Sequence, residues 1–461
     1  MSSDAPLILL FRRDLRLSDN PAVAAAAASG RPVIPLYVLD ESPGVRAPGG
    51  AGRWWLDRSL RALASSLAAK GSRLILARGP LDKAVEDVVR RTQAREVVLS
   101  RIHEPAAVLA EAQMMRRLRD SGVGVRSFNA GLLHEPGEVL NGEGRAYQVF
   151  TAYWRAARSR LRLPSPHPEP RRLRAPAEWP PSEALDDWRL RPRAPDWSGG
   201  FSAWTPGEAG AQTQLDAFVG ERLGDYAETR DRLDREGGSR LSPHLHWGEI
   251  GPAQVARAVE AAAHAGEASE AAGEKLLAEL GWRDFAADLL AQHPEMPVRS
   301  LRPQFDRMAW RNAPDELAAW REGRTGYPVV DAAMRQLWAT GFMPNRARMI
   351  VASFLTKDLL IDWREGEAWF WDCLVDADLA SNTMNWQWAA GSGVDAQPFF
   401  RIFNPASQAQ KFDPDGAYAR RWAPAQAPQP IVDHATARGR ALEAMKRAAR
   451  ASDFTGSDRS L

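Results

Sequence analysis

The sequence predicts an α/β domain with a doubly wound parallel sheet, followed by an all-α domain. Up to residue 130, short segments that are apolar throughout alternate with longer helical segments. A stretch rich in proline and arginine, 161–200, then breaks the pattern, and apolar residues recur afterwards at three- and four-residue spacing. A length of 461 residues also favours two domains.

The predicted strands are apolar along their whole length, which is typical of a parallel sheet covered on both faces. They are 7–11, 33–38, 73–77, 96–100 and 125–128, and the helices between them are 22–29, 53–70, 81–93 and 105–120. Pro21, early in the first turn, marks the start of the first helix. The residues after the first strand, FRRDLRLSDN, lack GxGxxG, so the usual dinucleotide site of such folds is not supported.

The domain boundaries follow from these changes in composition. We predict an α/β domain over 1–130, an interdomain connector over 131–203, an all-α domain over 204–450 and a tail over 451–461. Prolines fall at the boundaries of the helical segments, and a final helix is expected near 436–449.

Composition excludes several classes of protein. The formal net charge is only +2, so a nucleic-acid surface must be a local patch. A single cysteine, Cys373, excludes disulfide frameworks, cysteine-ligated zinc and iron–sulfur clusters, and no metal site is predicted. Because no leader or long apolar run is visible, we expect a soluble cytoplasmic protein that does not contact membranes.

The segment 341–405 mixes ionisable residues and tryptophans with apolar ones. Such groups are rarely buried without partners, so the segment predicts the wall of a polar, aromatic-lined cavity. A helix pair with a solvated outer face explains the same composition. Two motifs flank it: GGSRLSPHLHWGEI, which suits either a phosphate or a plain helix cap at Ser242, and ELGWRDF, where Glu279 and Arg283 share a helix face.

Four segments resemble the photolyase/cryptochrome family and follow its order. They are ILLFRRDLRLSDNPAVAAA, NRARMIVASFLTKDLLIDWREGE, DADLASNTMNWQW and RIFNPASQAQKFD. The resemblance implies that the all-α domain binds FAD and that the α/β domain carries an antenna chromophore, either methenyltetrahydrofolate or a deazaflavin. It implies a monomer that acts on DNA containing pyrimidine dimers.

The reaction that the resemblance implies is light-driven repair of cyclobutane pyrimidine dimers, by electron transfer from reduced FAD to a flipped-out lesion. The segment 341–356 has no histidine and the chain has one cysteine, which disfavours the two kinds of (6-4) enzyme. A cryptochrome-type blue-light photoreceptor with FAD but no repair remains the alternative. The segment Thr383-Met384-Asn385 leans toward relatives of plant cryptochromes, whereas the early end of the chain and Asn382 favour repair.

The resemblance also assigns roles to individual residues. The catalytic residues would be Glu279, Trp282, Asn345, Met349, Asn382 and Trp388, with Trp282 and Trp388 forming an aromatic clamp on the lesion. The FAD-binding residues would be Tyr226, Gly238, Ser239, Arg240, Leu241, Ser242, Glu279, Arg283, Asn345, Arg348, Asp376, Asp378 and Asn382.

Three further groups complete the implied assignments. An electron relay would run through Trp386, Trp363 and Trp310, although three well-packed core tryptophans are the plain alternative. DNA phosphates and the lesion would contact Trp282, Arg346, Trp388, Arg401 and Lys411, although scattered basic residues also suit a solvated face. The antenna would contact Glu104. Arg348 is expected to pair with Asp376, and Arg283 to reach the flavin phosphates.

Overall fold

A five-stranded parallel sheet organises the N-terminal part of the computed structural model, which describes residues 5–395, 401–426 and 428–456. The strands are β1 Leu7–Phe11, β2 Val33–Asp40, β3 Ile75–Gly79, β4 Glu96–Ser100 and β5 Gly124–Phe128. Their order is β3-β2-β1-β4-β5, and every neighbouring pair is parallel. The predicted doubly wound sheet is therefore confirmed.

Four helices cover the two faces of this sheet. They are α1 Pro21–Ala28, α2 Gly50–Ala69, α3 Leu81–Thr92 and α4 Pro105–Asp120. The Asn20 side chain accepts from the backbone N–H groups of Ala22 and Val23 and so caps α1. Alternate residues of β1 enter two different cores, Leu7 and Leu9 one and Ile8 and Leu10 the other. A strand buried on both faces must be apolar throughout, as the sequence pattern indicated.

The longer regular elements in the rest of the described chain are helices, joined by loops. The helices are α5 Phe150–Arg160, α6 Glu208–Glu221, α7 Tyr226–Thr229, α8 Ser242–Trp247, α9 Pro252–His264, α10 Glu270–Gln292, α11 Pro314–Arg321, α12 Pro328–Thr340, α13 Asn345–Ser353, α14 Trp363–Cys373, α15 Leu379–Ala390, α16 Pro405–Phe412, α17 Ala417–Trp422 and α18 His434–Gly456. A π-helical turn, Phe354–Asp358, continues α13. Several of these helices begin at a proline, whose fixed φ and missing N–H suit the first turn.

Several elements have bounds that differ by one to three residues from the prediction, and two differ more. Helix α5 lies inside the predicted connector and packs on α10, where a Cβ at Gly281 would collide with the Trp154 indole. Helix α18 continues to Gly456, so its predicted end at 449 is wrong. None of the helices that the structure describes is long and apolar enough to cross a lipid bilayer.

The segment 46–50 joins the α/β part to α14. The Trp371 Nε1–H group donates to the Ala47 carbonyl oxygen at 2.9 Å, and the Gly50 N–H group donates to Asp372 Oδ1 at 2.7 Å. The approach is so close that a Cβ at Gly49 would overlap the Trp371 backbone. This contact brings the loop after β2 beside the helices that form the site.

Candidate functional site

A cavity of about 830 Å³ opens among the helices, within the usual range for ligand pockets. It brings together side chains that are far apart in the sequence. The predicted site residues on its wall are Tyr226, Gly238, Ser239, Arg240, Leu241, Ser242, Glu279, Arg283, Asn345, Arg348, Met349, Asp376, Asp378, Asn382, Trp386 and Trp388.

An ion pair between Arg348 and Asp376 lies on the wall of the cavity. Arg348 Nη2 is 2.8 Å from Asp376 Oδ2, and Arg348 Nε donates to the Met343 carbonyl oxygen at 2.8 Å. The predicted pairing is therefore present. The Ser242 hydroxyl donates to Asp376 Oδ2 at 2.6 Å, and α8 has no side-chain cap, so the interpretation of Ser242 as a plain helix cap is wrong.

Asp378 stands where α15 begins and faces the α/β part. Its side chain accepts from the Ser381 N–H group at 2.8 Å, which caps the helix. His246 Nδ1 and Arg13 Nη1 lie 3.7 and 3.8 Å from Asp378 Oδ2. Burial alone would raise the pKa of Asp378, but His246 and Arg13 hold this pKa well below its usual range. Asp378 is therefore a fixed anion at neutral pH.

Glu279 pairs with a residue that the sequence did not single out. Arg230 Nη2 lies 2.8 Å from Glu279 Oε1, and burial raises the pKa of Glu279 although Arg230 opposes the effect. Arg283 instead donates to the carbonyl oxygens of Gly131 and Leu245, at 3.2 and 3.3 Å. The surface pair between Glu279 and Arg283 that the helical spacing allowed is therefore not formed.

One part of the cavity contains more arginines than carboxylates, although Asp234, Glu236 and Glu279 lie beside several of them. Arg230, Arg232, Arg235, Arg240 and Arg421 all line it. The Nε atom of Arg240 is buried and has no hydrogen-bond partner among the described residues, and its guanidinium carbon lies 4.3 Å from the Trp204 ring centroid. Buried donors without acceptors are uncommon, so this part of the cavity is suited to an anionic ligand. Only Arg240 of the five was predicted, because the others lie in no recognisable motif.

The predicted aromatic clamp is only partly present. Trp388 lines the cavity, whereas Trp282 lies outside its wall with one face stacked on Phe150, at 3.6 Å between ring centroids and 10° between planes. Asn345 and Met349 lie one turn apart on α13, and both line the cavity. Asn345 Nδ2 is 4.0 Å from Met349 Sδ, as their i, i+4 spacing predicted.

The three tryptophans of the predicted relay differ in their exposure. Trp386 lines the cavity and is 2% exposed, Trp363 is fully buried, and Trp310 is partly exposed. Trp386 packs so closely on α14, which begins at Trp363, that a Cβ at Gly366 would collide with its indole. Trp386 also contacts Trp320, at 6.1 Å between ring centroids.

The remaining predicted residues lie outside the cavity wall. Arg346 pairs with Asp231 at 2.6 Å and covers the Phe412 ring, whereas Arg401 and Lys411 are exposed. Glu104 is buried and pairs with Arg13 at 2.5 Å. It lines a second cavity of about 90 Å³ between the α/β part and α14, smaller than the roughly 300 Å³ of ordinary ligand sites.

Comparisons with known proteins agree with this geometry. A family described as DNA photolyase matches residues 7–171, and the FAD binding domain of DNA photolyase matches residues 276–427. The chain is 46% identical to a deoxyribodipyrimidine photo-lyase of Agrobacterium fabrum, over 95% of this chain and 97% of the relative. It is 36% identical to Cryptochrome-2 of Arabidopsis thaliana, over 94% of this chain and 73% of the relative.

A solved structure shows the same architecture. The crystal structure of a bacterial class III photolyase from Agrobacterium tumefaciens superposes with a TM-score of 0.92 and 45% identity, covering 97% of this chain and 98% of that one. The overall fold is thus shared with that protein over nearly the whole length of both chains. The chain belongs to the DNA photolyase family.

Proposed function

We propose that this chain is a deoxyribodipyrimidine photolyase, which uses light to split cyclobutane pyrimidine dimers in DNA. The observation that carries the proposal is the convergence on one cavity of Glu279, Asn345, Met349, Asn382 and Trp388. A generic flavoprotein has no need of this set beside its cofactor. The similarity to photolyases over nearly the whole chain supports the same activity.

The residues present fit FAD as the cofactor. The basic part of the cavity, with the unpartnered Nε atom of Arg240, suits a pyrophosphate, and Ser239, Leu241 and Ser242 lie on the same wall. Tyr226, Gly238 and Arg283 would complete this half of the site. Arg348, Asp376, Asp378 and Asn382 would surround the ring. When bound and reduced, FAD supplies a light-excited electron donor for opening the dimer.

The side chains of the cavity would influence the charge of the flavin ring and its exposure to water. The Arg348 cation would favour an anionic form of the reduced ring, because an opposite charge nearby stabilises a charged group. Its pairing with Asp376 holds the guanidinium in place. The buried side chains around Trp386 would limit water beside a bound ring, which would strengthen these interactions.

A lesion can reach this cavity only if it leaves the double helix, and photolyases are a known case of such base flipping. Glu279, whose pKa is raised by burial, would hydrogen-bond the flipped bases from one side, and Trp388 would stack on them. Trp282 would take part through the ring face that Phe150 leaves uncovered. Arg401 and Lys411 are exposed and suit DNA phosphates, whereas Arg346 would first have to exchange Asp231 for a phosphate.

Repair of a defined oligonucleotide tests the function. Purified protein with chemically reduced flavin and a thymine-dimer oligonucleotide should yield intact thymines under blue light and none in the dark, as measured by chromatography. If FAD is bound and reduced but lesion levels stay unchanged under light, the repair function is wrong. The similarity to Cryptochrome-2 makes a blue-light photoreceptor the second candidate, and that result would favour it.

The tryptophan series predicts a separate property. Trp363→Phe should strongly slow light-driven reduction of oxidised FAD, since a fully buried indole of the proposed relay would be missing. Repair by protein whose flavin is already reduced should be unaffected. Trp188→Phe is the control, since this buried tryptophan packs on Tyr37 of β2 and does not line the cavity. Normal photoreduction in Trp363→Phe would remove this residue from the relay.

The antenna and the oligomeric state need their own measurements. We propose methenyltetrahydrofolate or a deazaflavin as the antenna, with Glu104 as a contact once the small cavity beside Arg13 widens. The absorption spectrum of cofactors released by heat distinguishes the two compounds and would exclude both if only flavin appears. We propose a monomer, which sedimentation of the purified protein tests.

A further inference from the structure

A chain of hydrogen bonds runs from the α/β part to the wall of the cavity. Arg46 Nη1 and Nη2 donate to Glu367 Oε1 and Oε2, at 2.6 and 3.1 Å. The Asn382 amide nitrogen donates to Glu367 Oε1 at 2.9 Å and to the Glu367 carbonyl oxygen at 3.1 Å. Glu367 is 5% exposed, and Asn382 lines the cavity. The three residues lie on three different parts of the chain.

These contacts fix the orientation of the Asn382 amide. An ionised carboxylate and a carbonyl group only accept hydrogen bonds, so the amide nitrogen must face Glu367. Both of its N–H groups are then used. The amide oxygen is left for the cavity. The orientation is therefore set by two oxygen atoms of Glu367, and one of them belongs to the carboxylate that Arg46 binds.

Arg46 fixes the position of this carboxylate. Two parallel N–H···O contacts are the strong, geometrically specific form of an arginine–carboxylate pair. Arg46 is itself held, because its guanidinium carbon lies 4.1 Å from the Trp371 ring centroid and the next residue, Ala47, accepts the Trp371 N–H. Arg46 is therefore part of the site architecture and not a mobile surface cation.

We propose that Arg46 is a positioning residue: through Glu367 it turns the Asn382 oxygen toward the flavin and raises the midpoint potential of FAD. The inference rests on the proposed function, under which Asn382 borders the flavin ring and, as the family resemblance implies, would face ring atom N5. Two-electron reduction takes up two electrons and one proton, and the proton forms the N5–H bond. An oxygen acceptor beside N5 stabilises the form that carries this N–H, whereas an amide N–H there stabilises the oxidised form.

Potentiometric titration of the FAD-loaded protein with dithionite, in the dark and with a reference dye, tests this proposal. Arg46→Met keeps much of the side-chain length and removes the guanidinium group that binds Glu367. Its midpoint potential should fall by about 30 mV, which for two electrons is a tenfold lower ratio of reduced to oxidised flavin. Glu367→Gln, whose neutral amide can donate to the Asn382 oxygen, should lower the potential in the same direction.

Asp372→Ala is the matched control. It removes a hydrogen bond between the same two segments, the one from the Gly50 N–H group, without touching Glu367. Its potential should equal that of the unchanged protein. If it falls as far as in Arg46→Met, general loosening of the interface explains the effect and the proposal is wrong.

A double-mutant cycle separates positioning from simple charge. In an Asn382→Ala background, Arg46→Met should cause no further fall, because the amide through which it acts is gone. An equal fall in both backgrounds would show direct action of the cation and overturn the proposal. Bound FAD with the same potential in Arg46→Met would overturn this inference alone. Failure of the unchanged protein to bind FAD would overturn the proposed function together with it.

Discussion

Asp284 on α10 is a buried carboxyl outside the cavity. It accepts the backbone N–H groups of Leu133 and His134, at 3.2 and 2.9 Å, and is 1% exposed. Burial raises the pKa of Asp284 to about 7, against the opposing effect of these hydrogen bonds and of Arg283. The carboxyl thus ties the loop after the α/β part to α10 in a form that holds a proton up to neutral pH.

This raised pKa predicts a dependence of stability on pH. Between about pH 4 and pH 7 the folded state binds more protons at Asp284 than the unfolded state does, so the free energy of unfolding falls as pH rises. Asp284→Asn should lose this component, roughly 2–4 kcal/mol across the interval. Urea unfolding at about pH 4.5 and about pH 7.5 measures this change in the free energy of unfolding. Exposed Asp120→Asn is the control, and equal pH slopes in Asp284→Asn and the unchanged protein would contradict the prediction.

The partners of individual side chains were predicted correctly where the residues belong to a recognised motif. They were missed where the partner is determined only by how the helices pack. The pair of Arg348 with Asp376 follows from the family resemblance and is present. The pair of Arg230 with Glu279 was missed, because a long side chain selects among several carboxylates only after the helices have packed. The contact of Asn382 with Glu367 was missed for the same reason.

At the scale of elements, helices α14 and α15 are positioned by one glycine. The Trp386 indole of α15 lies on Gly366 of α14 and leaves no room for a Cβ there. It also contacts Phe370, at 5.0 Å between ring centroids. The small residue therefore sets how closely the Trp386 indole approaches α14.

Gly366→Ala should displace this indole. We expect a loss of about 1–3 kcal/mol in stability, as for other overpacked cores, together with slower light-driven reduction of FAD. Gly439→Ala is the matched control, since its Cβ would meet nothing within 4 Å in α18 and a helical Gly→Ala change adds up to about 1 kcal/mol of stability. Chemical unfolding and flash photolysis measure the two effects. If Gly366→Ala changes neither the free energy of unfolding nor the rate of light-driven FAD reduction, α14 and α15 can move apart without loss of stability and the prediction is wrong.

The bounds of an element were predicted accurately where clear start or stop residues flank it. The strands 7–11 and 96–100 and the helix 105–120 have their predicted bounds, because apolar runs end at turn residues or prolines. Helix α5 was missed although Phe150, Tyr153 and Ala157 follow a helical period, since the predicted connector was assigned from its proline-rich second half. The end of α18 was misplaced, because its last residues give no helix-stop signal before Gly456.

At the scale of the whole molecule, Glu249 connects three parts of the chain. One carboxylate oxygen accepts from the Trp55 indole at 3.0 Å and from the Gly207 N–H group at 2.7 Å. The other lies 2.5 Å from His244 Nδ1. Glu249 is 1% exposed. Since Trp55 belongs to α2 and His244 to α8, both parts of the protein depend on this carboxylate.

Glu249→Leu should therefore destabilise the protein as one unit. It leaves buried donors without an acceptor, at a cost of about 3–5 kcal/mol. Scanning calorimetry should show a single transition at lower temperature. Glu221→Leu, at the exposed end of α6, makes the same chemical change and should leave the transition in place. Two separate transitions in Glu249→Leu, one of them unshifted, would show that the α/β part does not depend on the contact.

The proline-rich stretch after α5 returns to the sheet. The Glu183 N–H group donates to the Leu76 carbonyl oxygen at 2.9 Å, and the Arg174 carbonyl oxygen accepts from the Val33 N–H group at 2.8 Å. Helix α5, just before it, belongs by its packing to the helical side. The polypeptide thus passes from the α/β part to the helical part at α5, returns to the α/β part in the proline-rich stretch, and enters the helical part again after it. Each part therefore contains a segment that interrupts the other in sequence. Neither half can be cut out, exchanged between homologues or expressed alone without removing a piece of the other.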